Sequence, residues 1–186
     1  MARTPSNMLP LGTKAPDFEL LDTVSGQNVR LEKAKGKKGT VIMFICNHCP
    51  FVIHVNPKIV ELAKEYQAKG IGFVAISSND VVNYPQDAPH LMTEKAKEEG
   101  YTFPYLYDET QSVAKAYDAA CTPDIYLFDA DLELVYRGQL DDSRPGNGIP
   151  LSGKDLMGAM DALLAGKTID PDQKPSLGCN IKWKEA

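Results

Sequence analysis

The sequence predicts one α/β domain with helices packed on a central mixed sheet. Three observations carry that reading. Residues 40–45 and 71–76 are short, unbroken apolar runs rich in β-branched side chains, the pattern of strands buried on both faces. From Cys49 to Lys69 the apolar positions Phe51, Val55, Ile59, Leu62 and Tyr66 recur at three- and four-residue steps, and Gly70 ends the run, which predicts a helix. Strand and helix signals then alternate along the rest of the chain, with no internal repeat and no low-complexity linker.

The remaining elements follow in order. Residues 88–99 predict a polar, surface-type helix that ends at Gly100. Residues 104–107 predict a short strand. Residues 111–117 predict a short helix capped by Asp108 or Thr110. Residues 124–129 and 133–137 predict a hairpin that turns at Ala130 and Asp131. Residues 154–164 predict the last amphipathic helix. After Gly166 the chain is mostly polar with interspersed proline, and an irregular tail wrapping the domain is expected. The whole chain, 1–186, reads as one domain, with a core at about 12–165, an N-terminal extension and a tail at about 166–186.

Composition narrows the function classes. At 186 residues and 43% hydrophobic, the chain can bury a full core without cross-links. A net charge of −5 disfavours nucleic acid and anionic membrane as partners. No apolar run approaches the roughly 20 residues a spanning helix needs. Residues 1–7 carry one basic residue and lead into no apolar stretch, so no secretory signal is read and a cytoplasmic protein is expected. In that setting the four cysteines, Cys46, Cys49, Cys121 and Cys179, are expected to be catalytic, metal-binding or buried rather than structural disulfides.

The chemistry centres on Cys46-Asn47-His48-Cys49-Pro50, a CxxC motif between a predicted strand and a predicted helix. A thiol at a helix N-terminus faces unpaired backbone N–H groups and the positive end of the helix dipole. Both stabilise thiolate, lowering the pKa from about 8.5 to a value in the range ~3.5–7.5. Pro50 suits the first helical turn, where its missing N–H has no partner to lose. His48 reads two ways, as a cation that lowers the thiol pKa further or as a solvated loop histidine. A structural zinc site needs a second ligand pair at similar spacing, which the sequence lacks; a mixed site of Cys46, His48, Cys49 and Cys121 is the metal alternative. No metal and no cofactor are expected.

These stretches resemble the thioredoxin superfamily, in its peroxiredoxin-like branch, the alkyl hydroperoxide reductase/thiol-specific antioxidant (AhpC/TSA) family. Residues 12–20 are similar to its opening motif, 44–50 to its strand-to-active-site turn, and Cys121-Thr122-Pro123-Asp124 to its cis-proline segment. Residues 178–184 are similar to the C-terminal resolving-cysteine segment of two-cysteine peroxiredoxins. The resemblance implies a thioredoxin-like fold and a cis Thr122–Pro123 bond.

It also sets the register of the motif. Thioredoxins carry a proline eight residues after the nucleophilic cysteine; counting from Cys49 reaches Pro57, and counting from Cys46 reaches His54. Cys49 is therefore the expected nucleophile. Peroxiredoxins place a threonine three residues before that cysteine, and here Cys46 stands in its place. No arginine precedes Pro123, and Arg137 and Arg144 cannot be placed from sequence. Loss of the peroxide-polarising hydroxyl weakens a peroxidase and favours disulfide exchange with Cys46 as resolving partner.

The resemblance brings Cys46, Cys49 and Cys121 together, with Thr122 and Pro123 supporting the site. Cys121 is read first as a buried small residue. Cys179, the resolving candidate of the tail, is read as packed under Trp183. The expected function is thiol–disulfide exchange, with a thiol peroxidase and a metal-binding or metallochaperone module of the same fold as alternatives. Expected partners are a protein disulfide or hydroperoxide, a thiol electron donor such as thioredoxin, and, as an open case, a second copy in a homodimer.

Overall fold

A computed structural model describes residues 3–186. In chain order the elements are β1 (Arg3–Pro5), β2 (Glu19–Asp22), β3 (Asn28–Arg30), α1 (Leu31–Ala34), β4 (Gly39–Phe44), α2 (Pro50–Gln67), β5 (Ile71–Ser77) and α3 (Pro89–Glu99). They continue with β6 (Tyr105–Tyr107), α4 (Ser112–Ala116), β7 (Cys121–Thr122), β8 (Asp124–Asp129), β9 (Leu134–Arg137), α5 (Lys154–Leu164) and β10 (Leu177–Asn180). Seven strands form one mixed sheet in the order β3-β2-β6-β5-β4-β8-β9. The β4–β5 and β5–β6 pairs are parallel, and the others antiparallel.

The apolar run that predicts β4 is buried at all six positions of the strand. Its side chains alternate between two cores, as a pleated strand requires. Val41 and Met43 pack with Val52, Val55, Ile59 and Leu62 of α2 and with Leu156 and Met160 of α5. Ile42 and Phe44 pack on the other face with Tyr117, Tyr126 and Phe128. Each such side chain contributes ~1.5–3 kcal/mol when fully buried. The strand is thus fixed on both faces, and its C-terminal end delivers the CxxC loop to a defined place.

The helix and hairpin expectations match the structure within a residue or two at each boundary. The short helix α4 is served by Asp108, whose carboxylate accepts from the N–H groups of Val113 and Ala114 at 3.3 and 2.9 Å. The Thr122–Pro123 peptide is cis. The tail departs from the expectation. It holds strand β10, the middle strand of a second, three-stranded sheet in the order β1-β10-β7. Both pairings are antiparallel, with Cys179 opposite Arg3 on one side and Thr122 on the other. A four-residue strand with glycine at its second position has no side-chain pattern to announce it; partners on both sides create it.

A buried ion pair braces the segment around Pro123. Arg137 and Asp124 are both fully buried, with Nη2 3.0 Å from Oδ2. Asp124 also accepts from Ser6 Oγ at 2.9 Å and the Ala120 N–H at 3.1 Å, which ties β7, β8, β9 and the N-terminal segment together. The Arg137 guanidinium lies 4.4 Å from the Tyr126 ring centroid and donates to the Asp118 carbonyl. Among the described residues no helix is long and apolar enough to cross a membrane.

Removing one partner of a buried pair strands the other charge. Asp124→Ala should lower stability by ~3–5 kcal/mol in urea unfolding, and pairing it with Arg137→Met should recover most of that loss. Equal losses in the single and double variants would show that the pair does not brace this region.

Candidate active site

β4 ends at Phe44, and a short buried loop carries the chain to Cys49, the N-cap of α2. Pro50 takes the first helical position, and the N–H groups of Val52 and Ile53 both donate to the Cys49 carbonyl at 3.0 Å. Pro57 lies inside the same helix. Cys49 is 0% exposed, and Cys46 and Cys179 are 1% exposed.

Three groups crowd the Cys49 sulfur. Its Sγ lies 2.8 Å from Cys179 Sγ and 3.3 Å from the Thr122 carbonyl oxygen, to which the thiol form donates. The Cys46 thiol also hydrogen-bonds to it. These contacts lower the Cys49 pKa to about 5. The Cys46 hydrogen bond is the largest cause, burial opposes it, and Cys179, Thr122 and the Val52 N–H add to it. A buried thiolate is expensive without donors aimed at it, and here several converge.

The neighbouring thiols move the other way. Cys46 is held well above the ordinary thiol range by its hydrogen bond to Cys49, by burial and by the nearby Asp87 carboxylate. Burial and Cys49 push Cys179 up to about 12. One ionised sulfur thus sits among protonated thiols that donate to it. The Thr122 hydroxyl stands 3.7 Å from Cys46 Sγ and is the one group that favours its ionised form.

The expected convergence of Cys46, Cys49 and Cys121 holds for the first two only. Cys121 precedes Thr122 in β7, and successive side chains of a strand point to opposite faces. Thr122 therefore reaches Cys46, while the Cys121 thiol turns to the Pro123 carbonyl at 3.5 Å. Burial and Asp124 hold that thiol far above its ordinary range. Cys179 takes the third place in the cluster. It does not pack under Trp183, which is exposed, with Lys115 Nζ 5.9 Å from its ring centroid.

His48 is not a solvated loop histidine. Its Nδ1 lies 2.6 Å from Asp87 Oδ2, and its ring stacks on Tyr84 with centroids 5.8 Å apart. Asp87 is fully buried and also accepts from the Asn47 N–H at 2.8 Å, the His48 N–H at 3.3 Å and Asn79 Nδ2 at 2.9 Å. Asn47 in turn receives Tyr105 Oη at 2.9 Å.

Asp87 is a site residue that sequence reasoning missed, and Asn47, inside the motif, was given no role there. Asp87 lies 39 residues from His48 in a proline-rich turn, and no local signal marks it. Cys46, His48 and Asp87 offer ligand atoms within 4.8 Å of one another. The Asp87 carboxylate in that trio is already occupied by N–H donors, so it is built to hold the loop. Arg137 is committed to Asp124 and Asp118, and Arg144 donates to Gln139 Oε1 and the Asp141 carbonyl.

A family model for redoxin matches residues 10–149, which includes the whole CxxC site and Thr122–Pro123. The chain belongs to the redoxin family. This redoxin is 30% identical over 132 residues to a thiol-disulfide oxidoreductase ResA from Geobacillus kaustophilus, a match covering 70% of each protein. Among solved structures it is similar to an uncharacterized conserved protein from Geobacillus kaustophilus, with 60% identity, a TM-score of 0.98 and coverage of 100% of this chain and 98% of that one. A hypothetical protein from Sinorhizobium meliloti matches at 46% identity and a TM-score of 0.96, over 98% of this chain and 100% of that one. The thioredoxin domain of a thiol-disulfide oxidoreductase from Bacteroides vulgatus superposes with a TM-score of 0.60 at 19% identity, over 70% and 89% of the two chains. The fold is thioredoxin-like.

The contrast among the thiols is measurable. In the reduced redoxin, thiolate ultraviolet absorbance should rise with a midpoint near pH 5, and Cys49→Ser should abolish that step. Cys46→Ala removes the strongest donor and should move the midpoint upward. A first midpoint near the ordinary value of about 8.5 in the wild-type protein would contradict the geometry.

Proposed function

We propose that this redoxin-family enzyme catalyses thiol–disulfide exchange, with Cys49 as the attacking sulfur and Cys46 as its resolving partner. The observation that carries the reading is the buried cluster of thiols at the N-terminus of α2, with Cys49 as the N-cap, Cys46 beside it and Cys179 Sγ 2.8 Å from its sulfur. Cys49 attacks one sulfur of a target disulfide. A mixed disulfide forms, and the other target sulfur leaves as thiolate and takes up a proton. Cys46, losing its proton, then attacks the Cys49 sulfur and expels the second target thiol. The target gains two electrons, the oxidising equivalent enters the enzyme as a Cys46–Cys49 disulfide, and an external dithiol, such as a thioredoxin-type donor, returns the enzyme to its reduced form.

Disulfide exchange is favoured over peroxide reduction by what surrounds the sulfur. A peroxidase needs donors aimed at the O–O bond. Here the groups around Cys49 are two thiols, the Thr122 carbonyl and hydroxyl and the Val52 N–H, all engaged with the sulfur itself, and the Arg137 guanidinium is committed elsewhere. The name of the ResA relative, a thiol-disulfide oxidoreductase, agrees with exchange.

A pKa near 5 makes Cys49 about 99% thiolate at pH 7, against a few per cent for an ordinary thiol. The rate constant for reduction of a small disulfide such as oxidised glutathione should therefore be flat above about pH 6.5, where an ordinary thiol would gain nearly tenfold per unit up to about 8.5. Cys49→Ser should reduce turnover to background. Retention of turnover in Cys49→Ser, or faster consumption of hydrogen peroxide than of the disulfide, would sink the reading.

A further inference from the structure

We propose that Cys179 is a third redox cysteine. It exchanges into the Cys46–Cys49 disulfide, so the resting oxidised form is bridged Cys49–Cys179, with strand β10 as the chain's own target strand. The proposal rests on the exchange chemistry proposed above and adds an internal acceptor to it.

Three independent features of the structure lead there. First, the sulfur of Cys179 already lies 2.8 Å from that of Cys49, close to the ~2.05 Å of a disulfide bond, across 130 residues of sequence. Second, β10 is paired as an extended target would be. It runs antiparallel to β7 with Cys179 opposite Thr122, which sets its cysteine directly against the attacking sulfur. Third, β10 is pressed against that edge more closely than any residue but glycine allows. A Cβ at Gly178 would meet the Thr122 carbonyl oxygen at 1.9 Å.

The ends of β10 are pinned too. The Ser6 N–H donates to the Ser176 carbonyl at 2.8 Å, and the buried Ile181 donates its N–H to the Ala120 carbonyl at 3.2 Å. The Cys179 sulfur is thus held at the site by backbone on both sides and needs little movement to bond.

The step is electron-neutral. Cys179 gives up its proton and attacks the Cys49 sulfur. The Cys49–Cys179 bond forms, the Cys46–Cys49 bond breaks, and Cys46 leaves as a thiolate that takes up a proton. The oxidising equivalent stays in the protein; the target disulfide supplied it in the first step.

The test is disulfide mapping. Fully reduced protein is treated with one equivalent of oxidised glutathione, quenched in acid, alkylated and mapped by mass spectrometry, in the wild type and in Cys46→Ser, Cys179→Ser and Gly178→Ala. The expected bond is Cys49–Cys179 in the wild type and in Cys46→Ser, and Cys46–Cys49 in Cys179→Ser. Gly178→Ala, which lifts β10 from Thr122, should shift the wild-type bond to Cys46–Cys49 and speed alkylation of Cys49 in the reduced protein. A wild type bridged Cys46–Cys49 with Cys179 fully alkylated would overturn the inference and leave the exchange reading standing. Cys49 fully alkylated after oxidation in every variant would overturn both.

Discussion

Cys49 is shielded from solvent, and its negative charge has to be stabilised there without water. That constraint organises the surroundings. A carboxylate or thiolate taken out of water is unfavourable unless hydrogen-bond donors replace the lost solvent. The helix start offers one such donor in the Val52 N–H, and the thiols of Cys46 and Cys179 offer two more. Those thiols can donate only while they stay protonated; the hydrogen bond to Cys49 and burial keep Cys46 so, and burial and Cys49 keep Cys179 so. Ionisation of one sulfur and protonation of its neighbours are therefore a single electrostatic arrangement, and changing any of the three cysteines shifts the other two.

Thr122 is where the parts of this arrangement meet. Its hydroxyl stands beside Cys46, its carbonyl beside Cys49, and its backbone pairs with Cys179. Two buried carboxylates hold the frame around it. Asp124 takes Arg137, Ser6 Oγ and the Ala120 N–H on the β8 side. Asp87 takes the N–H groups of Asn47 and His48, the His48 ring and Asn79 on the loop side. Each is surrounded by donors, so each fixes several chain segments at once. A site that depends on sulfur positions within a few tenths of an ångström needs that rigidity.

How much of this could be read from the sequence depended on whether the signal was local. β4, α2 and the β8–β9 hairpin are set by the order of their own side chains, and their periodicity shows it. The helix start at Cys49 was legible from Pro50, and Cys49 as the nucleophile from the register of Pro57. The cis peptide at Thr122–Pro123 was legible by resemblance alone. Cys121 is the buried small residue that was read first, but its convergence with Cys46 and Cys49 failed because strand alternation turns it from the face that Thr122 occupies, and the two-residue length of β7 hid that alternation. Asp87 was missed, and Cys179 was named as a resolving candidate but placed under Trp183, for the same reason. Each reaches the site through pairing with a distant segment, and neither has neighbours in sequence that announce it. For Cys179 the similarity of residues 178–184 to a resolving-cysteine segment was the available signal, and packing under Trp183 was the wrong competitor.

The docking of β10 also bears on how a protein target could reach Cys49. An extended target strand would seek the backbone groups of Thr122, and β10 already holds them. Target and tail then compete for one edge, and a target gains access only to the extent that it replaces the β10 pairing. A small disulfide faces a weaker barrier, because it needs an opening at the sulfur and not the whole strand edge. The two substrate sizes should therefore respond differently to weakened β10 docking, with protein disulfides gaining more. On this view the Gly178 contact does two things. It aligns Cys179 for internal exchange, and it keeps an ionised, reactive sulfur covered until something with better strand complementarity arrives.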